Sequence, residues 1–273
     1  MKHVNYCAAL LAVLVFTPLA AREQHGPFVS MSYYPVSYAL PGKVPYNEEP
    51  VGTVSNKPSD GNELSSFQAF KISGGYFYGL FMGQLTYDSA SGSDFLPDQP
   101  DYPVDDTYDY TVTHFEATAG VRLSSYGDSS FTYVYAGYRR IDYSTDYLGI
   151  DMSGNGYVLG FTGFYSFGAA FDFEYVAYIN GYFGNYPDSD YSADNVTGRD
   201  THTQSVCAGG AIGSGVQYEP MNITILALAS FEVDQISHNA KIVDGYADFG
   251  VRHIGTYFGI GVMYQHLNFK YNR

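Results

Sequence analysis

From Thr113 to Leu123 the side chains alternate in character with a period of two. One parity reads Thr113, Phe115, Ala117, Ala119, Val121 and Leu123, and the other reads His114, Glu116, Thr118, Gly120 and Arg122. Successive side chains of an extended chain point to opposite faces, so this stretch specifies a strand with one apolar and one ionisable face. The pattern recurs. Phe171, Phe173, Tyr175, Ala177 and Ile179 oppose Asp172, Glu174, Val176, Tyr178 and Asn180. Ile223, Ile225, Ala227, Ala229, Phe231 and Val233 share a face whose opposite side ends in Ser230, Glu232 and Asp234. Tyr157, Leu159, Phe161, Tyr165 and Phe167 share another, as do Phe258, Ile260, Val262 and Tyr264. The 29 Tyr, 19 Phe and 30 Gly suit strands joined by tight turns and disfavour helices.

Connections between these segments alternate in length. Short ones carry turn residues: Ser125-Tyr126-Gly127-Asp128, Ser166-Phe167-Gly168 and Glu219-Pro220-Met221-Asn222. Long ones are polar and acidic. Eleven segments read as strands: 27–38, 65–75, 78–88, 109–124, 130–144, 155–166, 169–184, 202–218, 222–236, 243–254 and 256–270. A single-chain bacterial barrel has an even number of strands, so one segment is misread or one is missing. The two suspect places are 65–88, where Gly74-Gly75 resembles a turn, and 236–256. The expected fold is all-β: a closed antiparallel transmembrane β-barrel of 10–12 strands, with ten preferred.

The N-terminus reads as a targeting segment. Lys2 and His3 precede an apolar run from Ala8 to Phe16, and small residues follow up to Ala21. That order is the pattern of a cleaved secretory signal, and the run is too short for a membrane-spanning helix. The expected organisation is a signal peptide at 1–21 and a barrel at 22–273, with acidic extracellular loops near 41–63, 88–108 and 185–201. Removing the signal deletes Cys7 and leaves Cys207 alone, so no intrachain disulfide supports the fold. The formal net charge of −15 argues against nucleic acid as a partner, which needs a basic surface.

A soluble antiparallel sheet also alternates, so the membrane reading needs its own argument. The apolar parity is broad and aromatic, with Tyr and Phe near strand ends as in membrane-interface girdles. The polar parity carries both charge signs. Lys71, Arg122, Arg140 and Arg252 stand against Glu116, Asp142, Asp172, Glu174, Glu232 and Asp248. A soluble sandwich needs a separate set of apolar residues for its core. Here the aromatic face uses them up. In lipid the aromatic face is the outside, and the ionisable face lines a lumen. A closed barrel also pairs its backbone polar groups, which hydrocarbon demands.

The signal, the dyad repeat, the loop asymmetry and a final aromatic-bearing strand from Phe258 to Tyr271 together carry a resemblance. Over Pro27 to Tyr271 the chain resembles the small bacterial outer-membrane barrels, a class that includes the OmpA transmembrane domain, OmpX, OmpW and the opacity-type surface proteins. The resemblance is to the class and not to one member. It implies both termini on the periplasmic side, with outer-membrane lipid and the barrel-assembly machinery as partners. The chain departs from the class at its end, where Phe269 and Tyr271 are followed by Asn272 and Arg273.

The luminal charges admit two readings. Glu116 with Arg122, Arg140 with Asp142, and Asp248 with Arg252 or Lys71 form a salt-bridge plug, since buried charges must be paired. Alternatively they line a small pore, and the excess of carboxylates then favours small cationic solutes. The acidic loop residues Asp94, Asp98, Asp101, Asp105 and Asp106 lack EF-hand spacing and read as a solvated surface, or as a contact for a surface receptor. His114 shares a face with Glu116, and His202 lies near Asp200, but neither brings a placed nucleophile for a hydrolase. Cys207 among Gly209, Gly213 and Gly215 reads as inert packing. No cofactor and no metal site is expected. The expected role is a surface structural protein or a small cation-leaning porin. The alternatives are a loop-based adhesin and an outer-membrane hydrolase.

Overall fold

The computed structural model describes residues 24–40, 65–95, 107–125, 130–145, 151–192, 196–242 and 245–265. Ten strands follow one another: β1 (Gln24–Leu40), β2 (Ser65–Gly79), β3 (Phe81–Phe95), β4 (Thr107–Ser125), β5 (Phe131–Thr145), β6 (Asp151–Ala170), β7 (Phe173–Ser192), β8 (Val196–Tyr218), β9 (Ile223–Ile242) and β10 (Gly245–Gln265). Each pairs antiparallel with the next, and β1 pairs antiparallel with β10 to close a barrel, from Phe28↔Gln265 to Leu40↔Ile254. An odd strand number would have forced a parallel seam. Closure removes the sheet edge and its unpaired N–H and C=O groups.

The surplus eleventh segment was one strand read as two. Segments 243–254 and 256–270 are both β10, which pairs with β9 from Gly245↔Ile242 to Tyr264↔Ile223 without a break. Gly255 pairs with Glu232 inside this ladder and makes no turn. Gly74 and Gly75 likewise stay in the ladder, opposite Leu85 and Gln84. The real β2–β3 turn is at Gly79-Leu80, where Gly79 has φ 61°, a left-handed conformation that favours glycine. A 3₁₀ turn over Glu219–Met221 joins β8 to β9. It ends at left-handed Asn222, whose N–H donates to the Glu219 carbonyl over 3.1 Å.

Several strands run further than their sequence pattern suggests. β7 continues to Ser192 and β8 starts at Val196, so most of the expected loop near 185–201 is ladder. β3 reaches Phe95 and β4 starts at Thr107, which shortens the expected loop near 88–108. The expected signal peptide at 1–21, the loop near 41–63 and the acidic residues Asp98, Asp101, Asp105 and Asp106 lie outside the described residues. Asp94 falls on β3, opposite Tyr108, with its side chain outside the description.

The outward face is apolar. Phe115 is 41 % exposed, Ile225 51 %, Phe258 47 % and Phe171 102 %, so these residues do not form a dry centre. Phe70 packs beside Tyr87, with ring centroids 5.8 Å apart. From the short-turn end up to Phe115, Tyr138, Tyr157 and Phe183, no outward Asp, Glu, Lys or Arg interrupts this band on the described strands. Above it the first charges are Arg140 and Asp142.

The interior is layered. At the short-turn end Phe28, Phe77, Phe131 and Phe164 form an aromatic floor, with ring centroids 4.6 Å apart for Phe28–Phe77 and 5.7 Å for Phe77–Phe131 and Phe131–Phe164. Above lies a cavity of about 150 Å³, whose wall includes Ser30, Ser73, Thr86, Thr118, Asn180 and Tyr178. A layer of ionised side chains follows. Near the long-loop end Val112, Ile141, Met152, Tyr186 and Ile236 are buried together. A methyl placed on Gly154 would fall 2.7 Å from Ile236, 3.0 Å from Tyr186 and 3.1 Å from Ile141, so these side chains cross over the glycine and fill the lumen there.

Candidate functional site

The ionised layer is centred on Arg139 of β5, which is fully buried. Its guanidinium donates to Glu116 of β4 and to Glu232 of β9, and lies 3.5 Å from Asp234 of β9. The ladder explains the first contact: Glu116 and Arg139 are direct cross-strand partners. The others cross the lumen. Arg139 also donates through Nε to the Tyr186 hydroxyl over 2.9 Å and lies 4.8 Å from the centre of the Tyr182 ring. A delocalised, forked cation suits this many partners better than an ammonium does.

His114 of β4 sits beside it, also buried. Its Nδ1 is 2.5 Å from Asp88 Oδ1 and 3.9 Å from Glu232 Oε1, and its Nε2 is 3.1 Å from Asp234 Oδ2. Lys71 of β2 approaches Asp88 at 3.9 Å. Tyrosine hydroxyls hold the carboxylates in place. Tyr182 donates to Glu232 over 2.5 Å, Tyr257 donates to Glu232 over 3.3 Å, and Tyr186 donates to Asp234 over 2.5 Å. Tyr186 is itself anchored by Ser205, whose Oγ accepts from the Tyr186 N–H over 3.0 Å and donates to its carbonyl over 2.6 Å. The result is a polar network drawn from β2, β3, β4, β5, β7, β9 and β10. Buried charges survive only when paired and hydrogen-bonded in this way.

Of the residues singled out by sequence, Lys71, His114, Glu116 and Glu232 enter this network. Arg122 and Glu174 also face the interior and are buried, but nearer the short-turn end. Three assignments to the lumen are corrected. Arg140 and Asp142 point outward. They pair with each other, Nε to Oδ2 at 2.8 Å and Nη2 to Oδ1 at 2.7 Å, on side chains 47 % and 48 % exposed. The inward cation is the preceding residue, Arg139. Asp172 is exposed in the β6–β7 turn, where its carbonyl accepts the Glu219 N–H over 3.0 Å. The alternation of β7 begins only at Phe173, so Asp172 belongs to neither face of the sheet. Asp248 and Arg252 lie on β10 opposite Asn239 and Gln235, and their side chains lie outside the description.

Asp88, Arg139, Asp234, Tyr182 and Tyr186 were not singled out as lumen residues. Asp234 shares its parity with Glu232, a signal visible in the sequence. Asp88 shares a cross-strand position with both Lys71 and His114, which only the register reveals. Cys207 is buried on the inward face, in agreement with a packing role.

No family model matches the chain, and no curated protein matches it. Solved structures similar to it include the outer membrane protease OmpT from Escherichia coli, at 12 % identity over 88 % of this chain and 96 % of that one, with a TM-score of 0.47. Another is the translocator domain of the autotransporter NalP from Neisseria meningitidis, at 11 % identity over 96 % of this chain and 95 % of that one, with a TM-score of 0.40. A third is CdiB from Acinetobacter baumannii, at 10 % identity over 89 % of this chain and 60 % of that one, with a TM-score of 0.29.

Proposed function

We propose that this chain is an outer-membrane β-barrel with a sealed lumen, acting as a surface structural protein and not as a pore. The inverted distribution of side chains supports residence in lipid: large apolar residues outside, ionised residues enclosed. The observation that carries the sealed reading is the placement of Arg139. It bridges β4 and β9 across the interior between an aromatic floor and the packed layer of Val112, Ile141, Met152 and Ile236. A pore lining would leave such charges in water. Here they are engaged with one another across the lumen.

The test is conductance of the refolded full chain in planar bilayers, beside a porin of known conductance. The expected result is a folded, heat-modifiable barrel that inserts without discrete conductance steps. Reproducible cation-selective steps from the folded protein would restore the small-porin reading and overturn this one.

A further inference from the structure

We propose that Asp88, His114 and Glu232 form a divalent transition-metal site of the zinc type inside the barrel. One ligand atom from each residue lies within 4.8 Å of the other two, and the three come from three strands, β3, β4 and β9. An imidazole with two carboxylates is a donor set for Zn²⁺ and similar borderline cations. Tetrahedral bonds of about 2.0–2.1 Å place ligand atoms about 3.4 Å apart. His114 Nδ1 to Glu232 Oε1 at 3.9 Å is close to that spacing, and Asp88 Oδ1 at 2.5 Å from Nδ1 has only to swing away.

Three further observations point to a cation and not merely to an acidic cluster. The second ring nitrogen of His114 is buried without a hydrogen bond, 3.1 Å from the Asp234 carboxylate, and a small ring rotation would complete the carboxylate–histidine arrangement that fixes a metal-binding imidazole. The Tyr182 and Tyr257 hydroxyls orient Glu232 in the same way. The charges are also unequal. Asp88, Glu116, Glu232 and Asp234 face two permanent cations, Lys71 and Arg139, and a divalent ion offsets the surplus. Asp88 and Glu232 border the cavity, so the remaining coordination positions open toward water. Binding displaces the proton between His114 Nδ1 and Asp88, which passes to solvent, so the metal and the proton compete for one nitrogen.

The test uses the full chain refolded in detergent and stripped with chelator. Zn²⁺ is titrated calorimetrically, and Co²⁺ serves as a spectroscopic probe. The expected result is one ion per chain, visible ligand-field bands with Co²⁺, and an affinity loss of about tenfold or more in Asp88→Asn, His114→Gln and Glu232→Gln, with Asp142→Asn unchanged. Folding of each variant is checked by heat-modifiable mobility. Where a variant does not fold, X-ray absorption on the metal-loaded parent decides, with one nitrogen and at least two carboxylate oxygens expected. Absence of a stoichiometric ion in the folded parent, equal affinity in all folded variants, or a shell without nitrogen would each overturn the site.

Discussion

Arg139 of β5 donates to Glu232 of β9, a residue 93 positions later in the chain and across the lumen from it. The same guanidinium meets Glu116 and lies near Asp234. Losing this one cation therefore removes the guanidinium from three carboxylates at once, with tyrosine hydroxyls and His114 still on Glu232 and Asp234. Arg139→Met is expected to destabilise the barrel by about 3–5 kcal/mol, the cost of uncompensated buried charge. Arg140→Met removes only an exposed pair, 47 % and 48 % accessible, and is expected to cost under about 1 kcal/mol. Denaturant unfolding in detergent, followed by heat-modifiable mobility, compares the two. Equal midpoints for the adjacent arginines would contradict the inward placement of Arg139.

On the proposed membrane reading the outward face meets hydrocarbon near Ile260, which is 61 % exposed and pairs with Ala227. Ile260→Arg is expected to reduce folding stability in lipid vesicles by about 2–4 kcal/mol, the range for arginine at a bilayer midplane. Ser30→Asn, which adds a polar group to the cavity wall, is expected to change it by no more than about 0.5 kcal/mol. A soluble protein would reverse the order of these two effects.

Cys207 is buried on the inward face, behind Gly184 and beside the Arg139 network. Its thiol is expected to resist a membrane-impermeant maleimide in the folded barrel and to react once urea opens the wall. Mass spectrometry of the Cys207 peptide reads the outcome. Rapid labelling of the folded form is incompatible with a packed lumen at that level.

Gly79 holds the β2–β3 turn at φ 61°, with no heavy atom within 4 Å of where a Cβ would sit. The constraint is therefore conformational and not steric crowding. Gly79→Val is expected to cost about 1–2 kcal/mol, the penalty for a left-handed L-residue. Gly79→Asn is expected to cost clearly less, because Asn tolerates this region. Similar losses for Val and Asn would mean that the turn is made elsewhere.

The dyad repeat revealed the barrel because one face of most strands is uniformly apolar, as in Ile223–Val233 and Phe258–Tyr264. It failed where both faces are apolar. On β5, Phe131, Tyr133 and Tyr135 point in while Val134, Ala136 and Tyr138 point out. Local sequence thus gives no parity, and nothing local separates Arg139 from Arg140. The decision comes from β4, where Glu116 stands opposite Arg139 and Phe115 opposite Arg140. Asp88 was assigned to an acidic loop because charge density reads as solvent exposure, whereas its partners Lys71 and His114 arrive from neighbouring strands. Tyr186 was missed for the same reason: it lies in a stretch with turn-like composition that the register keeps in the wall.

β8 has 23 residues and β10 has 21. At about 3.3 Å per residue and a tilt of about 40°, a 23-residue strand rises about 58 Å. The apolar belt of such barrels is about 25 Å tall. On the proposed membrane reading the outward Arg140–Asp142 pair serves as a waterline, and more than half of β8 stands beyond the apolar belt. The rim is therefore uneven: by the same rise the 15-residue β3 clears a belt of that height by only about 13 Å, while β8 clears it by about 30 Å.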